Sequence, residues 1–268
     1  MESKTLELLV VEDTERHMSE AKDFFSAQQL GGANIKVDYA VDYDDAVARL
    51  EAKTYDGIIS DMFFPAKDVM GVKDRCASLL KEEVKDARWN GRQDYVDAYE
   101  SWRSREDDDA PAGVLLLEAA VDTPIVYCTD MHHHKPKMEI VTSYLRRIHK
   151  EEVVDFEPQD VRDRRYSARE SGIDMSAVPF RKDWSTAYQY VLDLALSSQV
   201  GLNKDMYVLR LVDRAMRDSE QPIESPAKFL AEIAKHSVQL RMMGPSVDRC
   251  VAGIDRFYDL RSEYLKTD

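Results

Sequence analysis

The sequence predicts an α/β fold of the doubly wound type, with a five-stranded parallel sheet, helical insertions and a C-terminal helical region. Two observations support this fold class. Short apolar runs without polar alternation recur in the N-terminal part of the chain, as in strands buried on both faces of a sheet. Amphipathic helical segments separate consecutive runs, which is the order of right-handed βαβ units.

The first half of the sheet is predicted from the runs LELLVV, IKVDYA and DGIIS and from two helices between them, whose apolar residues recur on one face. These elements are predicted at 6–11, 14–30, 35–40, 43–52 and 56–60. Acidic residues follow two of the three strands: the first ends at Glu12 and Asp13, and the third ends at Asp61.

Two charged and mostly helical segments then interrupt the pattern, at about 66–111 and about 131–172. Between and after them the α/β order resumes, with a helix, the strand TPIVYC, a fifth strand and an amphipathic helix. These elements are predicted at 113–121, 123–128, 175–181 and 184–197. The fifth strand has the weakest signal, because Pro179 is tolerated only at a sheet edge or a strand end.

We expect residues 1–200 to form the α/β domain with its insertions, and residues 201–268 to form a helical extension. Three helices are predicted there, at 204–217, 225–242 and 245–264, because prolines and a Gly-Pro pair separate them. Their apolar stripes suit packing on the α/β core. They equally suit self-association or docking of a downstream protein.

Charge and composition narrow the possible partners. The net charge is −14, which disfavours nucleic acid and anionic membrane surfaces. The three cysteines are far apart and lack CxxC spacing, so neither a disulfide framework nor a zinc knuckle is expected. The sequence has no apolar stretch of membrane-spanning length and no signal-peptide pattern, so a cytoplasmic location is expected.

The chemistry of the chain is predicted at the carboxyl ends of the strands, where sites form in doubly wound sheets. Glu12, Asp13 and Asp61 would meet there with Thr129 after the fourth strand and Lys182 after the fifth. Clustered carboxylates favour a divalent cation with oxygen ligands, and Mg²⁺ fits best. A carboxylate held in this way can attack a phosphoryl group and form an acyl phosphate.

These residues resemble the response-regulator receiver domain. Glu12-Asp13 closes the first strand as that family's metal-binding acids do, and Asp61 is followed by a proline four residues on, at Pro65. The segment AGVLL resembles the start of the family's third helix, and TPIVYCT, which ends at Thr129, resembles its fourth strand with the switch hydroxyl. Lys182 has the place of the family's lysine.

The resemblance implies a flavodoxin-like fold and a regulatory phosphoacceptor that is not an enzyme. It implies Asp61 as the acceptor, with Thr129 and Lys182 contacting the phosphoryl group. It also implies Mg²⁺ bound by Glu12, Asp13, Asp61 and the backbone carbonyl of Phe63. The upstream partner would be a histidine kinase or a phosphotransfer protein, and the output would pass through protein contacts, as in two-component signalling.

Three positions depart from the family pattern: Asp130 replaces a small residue, Asp183 replaces a proline, and Pro179 stands where an aromatic is common. A pseudo-receiver that binds partners without phosphorylation is therefore an alternative. A metal-dependent phosphohydrolase is a third hypothesis, which the absence of a second acid close after Asp61 disfavours. The run His132-His133-His134 is not expected to chelate a metal, since consecutive side chains point in different directions.

Overall fold

The structure is a computed structural model, and it describes residues 5–105, 110–129, 136–149, 153–154, 171, 181–219 and 223–265. The chain forms two compact units. The α/β unit takes the described residues of 6–27 and 36–191. The helical unit takes those of 28–35 and 192–268, together with Thr5. The predicted domain boundary at residue 200 stays a prediction.

The α/β unit is built on a parallel sheet whose first four strands have the order β2-β1-β3-β4. These strands are β1 (Leu6–Val11), β2 (Ile35–Ala40), β3 (Gly57–Ser60) and β4 (Ile125–Cys128). β3 pairs in parallel with β1 on one side and with β4 on the other. The predicted α/β fold with a parallel sheet, helical insertions and C-terminal helices is confirmed.

A fifth strand, β5 (Val153–Val154), pairs in parallel with β4. It falls inside the segment predicted as the second insertion. Its two residues are flanked by charged ones, so the sequence contains no apolar run long enough to indicate a strand. Most of the strand predicted at 175–181 lies outside the described residues, and its last residue, Arg181, belongs to no strand.

Three strands, β1, β3 and β4, are buried on both sides, which explains their apolar sequences, whereas β2 is buried only at its two ends. All four residues of β3 and all four of β4 are buried, and the fully buried Leu9 and Val11 of β1 belong to the same apolar core. A strand that is buried on both faces needs no polar face. In the sequence it is therefore visible only as an unbroken run of apolar residues.

Eight helices are described in or entering the α/β unit. They are α1 (Glu15–Leu30), α2 (Tyr43–Ala52), α3 (Val69–Leu79), α4 (Lys81–Trp89), α5 (Gln93–Arg103), α6 (Ala112–Ala119), α7 (Pro136–His149) and α8 (Trp184–Gln199). The described part of the first predicted insertion therefore contains three helices, as its mostly helical prediction allows. Gly91 ends α4 in the left-handed conformation, with φ 71°, and so lets the chain turn into α5.

The first insertion is anchored by aromatic packing next to the predicted acceptor. The rings of Phe63 and Trp102 lie edge to face, with centroids 5.4 Å apart, and Tyr99 lies 5.7 Å from Trp102. All three side chains are buried. Because Phe63 is two residues after Asp61, the insertion packs directly on the loop that carries this acid.

In its described residues the helical unit contains the C-terminal part of α8 and four further helices. These are α9 (Met206–Arg217), α10 (Pro226–His236), α11 (Val238–Met242) and α12 (Gly244–Tyr264). The single helix predicted at 225–242 is divided at Ser237, whose hydroxyl accepts from the backbone N–H of Leu240 and so starts α11. No helix among the described residues is both long enough and apolar enough to cross a membrane.

A partly buried ionic network joins three helices of this unit. The Arg261 guanidinium on α12 donates to Asp193 on α8 at 2.7 and 3.3 Å, and to Asp213 on α9 at 3.3 Å. Burial raises the pKa of Asp193 to about 6, although Arg261 opposes this rise. Arg261 therefore offsets the cost of a carboxylate that is only 18% exposed.

We expect Arg261→Met to lower the free energy of unfolding by about 3–5 kcal/mol at pH 8, because it leaves a buried carboxylate uncompensated. The loss should be smaller at pH 5. The folded state binds the Asp193 proton more tightly than the unfolded state, so unfolding free energy falls as pH rises through this range. Removing Arg261 raises the pKa of Asp193 further. In the variant the free energy of unfolding therefore continues to fall up to a higher pH.

Urea unfolding at both pH values measures this effect. Arg256→Met on the same helix is the matched control, since Arg256 is exposed. A loss of equal size in both variants, or one that does not change with pH, would contradict the assigned role of Arg261.

Candidate functional site

The candidate site lies where the strand order of the sheet reverses. β2 lies on one side of β1, whereas β3 and β4 lie on the other, and ligands bind at such points in doubly wound sheets. The backbone N–H of Asp61 donates to the Val11 carbonyl at 2.8 Å, and that of Glu12 donates to the Ala40 carbonyl at 3.0 Å. The strand ladder thus continues one residue beyond the strand ends and places the acids side by side.

Glu12, Asp13 and Asp61 form a compact acidic triad. One carboxylate oxygen from each lies within 4.8 Å of the other two, close enough for all three to hold one metal ion. Glu12 is fully buried, Asp61 is 8% exposed and Asp13 is half-buried. These are the three acids that the sequence predicted to meet, and within the described part of the chain they are the only such group.

Lys182 completes the buried part of the site. Its Nζ lies 2.6 Å from Asp61 Oδ2 and also contacts Glu12 Oε2, and its side chain has no exposed surface. Lys182 lies 121 positions after Asp61 and 170 after Glu12 in the chain. The predicted convergence of Lys182 with both acids is therefore present in the structure, and the lysine lies two residues before the start of α8.

The electrostatics of the site leave a net negative charge. Burial raises the pKa of Glu12 to about 7; Lys182 opposes this rise and Asp61 adds to it. Burial alone would lower the pKa of Lys182, but Asp61 and Glu12 raise it above its usual value, so the ammonium stays charged. Among the described residues one ammonium contacts two of the three carboxylates, and this excess of negative charge favours an additional cation.

Backbone donors orient the two buried carboxylates. The N–H of Thr14 donates to Glu12 Oε1 at 3.0 Å, and the N–H of Met62 donates to Asp61 Oδ1 at 2.5 Å. The donors leave further lone pairs on the carboxylate oxygens. With Asp13 these oxygens make a set of hard ligands, the type that Mg²⁺ or Ca²⁺ requires. The residues therefore fit a divalent cation without determining which one.

Thr129 follows β4 directly and is buried, with 2% of its surface exposed. The register pairs Ser60 with Tyr127, so Asp61 and Thr129 follow neighbouring strand ends. The contact of Thr129 with a phosphoryl group stays a prediction. Metal binding by the backbone carbonyl of Phe63 stays a prediction as well.

Asp183, which stands where the receiver family has a proline, caps α8. Its two carboxylate oxygens accept from the Thr186 N–H at 3.0 Å and the Thr186 hydroxyl at 2.7 Å. An acid at this position satisfies the free N–H groups of the first turn of α8. The other departures from the family pattern, Asp130 and Pro179, lie outside the described residues, as does the run from His132 to His134.

Two features of the site were not assigned by sequence reasoning. The Trp184 ring lies 5.9 Å from Lys182 Nζ, although the sequence marked Trp184 only as the start of a helix. Its position two residues after the lysine was the one available signal. The second is a close approach at Gly113, where a Cβ would lie 2.6 Å from the backbone oxygen of Asp61. Only glycine lets α6 come this near the loop after β3.

Comparison with family models, curated proteins and solved structures finds no match to this chain.

Replacing Lys182 should test the charge balance of the site. We expect Lys182→Met to lower the free energy of unfolding by about 3–5 kcal/mol in the absence of divalent ions, because Glu12 and Asp61 would lose their common counter-charge. Addition of MgCl₂ should restore part of this loss, since a cation that binds only the folded state stabilises it. Chemical unfolding with and without MgCl₂ measures both effects.

The matched control is Lys81→Met, which removes an exposed lysine from α4. If both variants lose the same stability, or if MgCl₂ acts equally on both, the Lys182 contacts do not balance the acidic triad.

Gly113→Ala should disturb the loop after β3 through the backbone of Asp61. We expect a loss of about 1–3 kcal/mol in unfolding free energy, because a new methyl group must displace main-chain atoms. Gly244→Ala, also at a helical position, meets nothing within 4 Å and serves as the control. Urea unfolding of both variants is the measurement, and equal stability would show that the contact at Gly113 relaxes freely.

Proposed function

We propose that this chain is a phosphoacceptor signalling protein of the receiver type, in which Asp61 accepts a phosphoryl group in a Mg²⁺-dependent reaction. The observation that carries the proposal is the contact of Lys182 Nζ with the carboxylates of both Asp61 and Glu12, beside Asp13. Lysine and three acids from distant parts of the chain are the combination that receiver chemistry requires.

The strand order adds support. A parallel sheet with β2-β1-β3-β4 neighbours is consistent with the flavodoxin-like fold, in which the site lies between β1 and β3. Asp61 ends the strand next to β1, where Glu12 and Asp13 lie. The acceptor and the metal-binding acids thus have the relative positions that the proposed reaction needs.

In the proposed reaction a carboxylate oxygen of Asp61 attacks the phosphorus of a donor. A P–O bond forms, and the P–N bond of a phosphohistidine, or the P–O bond of a small acyl phosphate, breaks. The leaving atom keeps the bonding electron pair and takes a proton from solvent if it needs one. The product is an acyl phosphate, which water later hydrolyses to inorganic phosphate and the Asp61 carboxylate.

The residues of the chain supply positioning and charge for this step. The Lys182 ammonium can turn from the Asp61 oxygen to a phosphoryl oxygen, and its raised pKa keeps it protonated. The Met62 N–H orients the attacking carboxylate through Oδ1. Thr129, at the neighbouring strand end, would donate its hydroxyl to another phosphoryl oxygen.

Glu12, Asp13 and Asp61, with the carbonyl of Phe63, would hold the Mg²⁺. When bound, the ion neutralises phosphoryl oxygens as negative charge gathers in the site. Phosphorylation then adds negative charge at the loop after β3, which packs on the first insertion through Phe63. We propose that this loop passes the signal to a downstream protein, or to self-association through the C-terminal helices. The donor would be a histidine kinase or a phosphotransfer protein.

Phosphorylation by a small donor is the direct test. We expect the full chain to take up one phosphoryl group from acetyl phosphate in the presence of MgCl₂, and none with EDTA or in Asp61→Asn. Intact-mass spectrometry measures the uptake, and lability to hydroxylamine identifies an acyl phosphate. Lys182→Met should slow uptake at least about ten-fold, since charge stabilisation of the transition state is lost.

Asp122→Asn, at an exposed acid in a turn, is the control and should be phosphorylated like the unaltered chain. Uptake that persists in Asp61→Asn would place the acceptor elsewhere. Failure of the unaltered chain to react with acetyl phosphate, phosphoramidate or a set of histidine kinases would favour a pseudo-receiver that binds partners constitutively. Continuous turnover of a phosphate ester that depends on Asp61 would indicate a phosphohydrolase.

A further inference from the structure

A lysine is buried inside the first predicted insertion, away from the end of the chain that carries Lys182. Lys73 lies in α3 and is only 1% exposed. Lysine is seldom buried to this extent, because its charged group loses the surrounding water and must find other partners. The receiver resemblance assigns no role to Lys73, since the residue belongs to the insertion.

The Lys73 side chain holds the C-terminal end of α5. Its Nζ donates to the backbone carbonyl of Arg105 at 2.5 Å and lies 3.5 Å from the backbone carbonyl of Trp102. The same Nζ lies 4.9 Å from the centre of the Trp102 ring. Carbonyl groups at the end of a helix attract a cation, and so does the face of an indole ring. Lys73 therefore restrains both the main chain and the side chain of Trp102.

Trp102 transmits this restraint to the loop after β3. Its ring packs edge to face on the ring of Phe63, and both side chains are buried. Closely packed rings cannot shift independently, because a displacement of one opens a void beside the other. Phe63 is two residues after Asp61, so the position of Trp102 bears on the segment that carries this acid.

Two main-chain hydrogen bonds close the base of the insertion against the same loop. The N–H of Phe64 donates to the Ala110 carbonyl at 3.2 Å, and these two residues form an antiparallel bridge. The N–H of Gly113 donates to the Met62 carbonyl, also at 3.2 Å. Both distances are at the long end of the usual range, so both bonds depend on the packing around them. Exchange of these two amide hydrogens therefore reports how firmly the loop is held.

We propose that Lys73 is a positioning residue for the phosphorylation of Asp61: it holds Trp102 against Phe63 and thereby restricts the loop that carries Asp61. The inference rests on the proposed function, and it extends that function to a residue of the first insertion. The restraint also acts on the backbone of Phe63, whose carbonyl is a proposed ligand of Mg²⁺. A small displacement of reacting groups is enough to slow a reaction by a large factor.

The first measurement is amide hydrogen exchange of the full chain by NMR, without any phosphodonor. Lys73→Met keeps the unbranched apolar stem and removes the charge and the N–H donors. We expect the amides of Phe64 and Gly113 to exchange about ten-fold faster in this variant, the effect of losing one charged hydrogen bond. The amide of Val126, in the central strand β4, should exchange at an unchanged rate, which separates a local effect from a global loss of stability.

The second measurement is the rate of phosphorylation by acetyl phosphate in MgCl₂. We expect Lys73→Met to lower the maximal rate about ten-fold and to leave the half-saturating concentration of acetyl phosphate unchanged, because Lys73 acts on the loop and not on the donor. Lys73→Arg, which keeps the charge and the N–H groups, should restore most of the rate.

Asp74→Asn is the matched control. Asp74 is the next residue on α3, and its carboxylate lies 3.0 Å from Arg103 NH2, so this pair also joins α3 to α5. The pair lies at the surface, where the Asp74 side chain is 66% exposed, and it holds Arg103 instead of Trp102. Asp74→Asn should exchange its amides and accept the phosphoryl group as the unaltered chain does.

Circular dichroism establishes that Lys73→Met is folded. If it is not, Lys73→Gln takes its place, since it keeps N–H donors without the charge, and it should change both measurements in the same direction. Unchanged exchange at Phe64 and Gly113 would overturn the proposal, as would equally faster exchange at Val126. Faster exchange at the loop with an unchanged rate of phosphorylation would also overturn it.

Failure of the proposed function has a different outcome. If the unaltered chain accepts no phosphoryl group, the role of Lys73 in that reaction is overturned together with the function. The exchange measurement uses no phosphodonor, so it still decides whether Lys73 restrains the loop after β3.

Discussion

The buried contact of the Lys182 ammonium with Glu12 and Asp61 is the constraint on which the rest of the site depends. None of these charges could be buried alone without a cost of several kcal/mol. Together they form a group in which one ammonium offsets two carboxylates, while Asp13 adds a third negative charge at the rim. The contact also ties the start of α8 to the ends of two central strands, so a charge interaction determines where a distant segment lies.

The loop after β3 is held from two sides, which gives this charge group a defined geometry. On one side α6 approaches the Asp61 backbone so closely that Gly113 is required. On the other side Phe63 packs against Trp102 of α5. The proposed reaction needs an accurately positioned Asp61 carboxylate, and packing on both sides restricts the loop that carries it. The first insertion therefore supports the loop after β3.

Much of the fold could be predicted because the relevant signals are local. The strands that contain Leu9, Ile59 and Val126 are continuous apolar runs, and β1 and β2 have their predicted boundaries. The errors have local causes as well. β5 has two residues and no apolar run, and Ser237 interrupts a helix because its hydroxyl caps the next one. A cap and a continuous helix have similar composition, so the break could not be predicted from apolar periodicity.

The sequence by itself determined which residues could do chemistry: acids directly after buried strands are visible in the chain, because strand burial leaves an unbroken apolar pattern up to the strand end. The tertiary structure alone decided how these residues meet. Lys182 reaches Asp61 across 121 positions, Asp183 turns to cap α8, and Glu83 is buried with one oxygen lacking a described donor. These contacts depend on how whole helices and strands pack against one another. The short-range periodicity of a sequence contains no information about that packing.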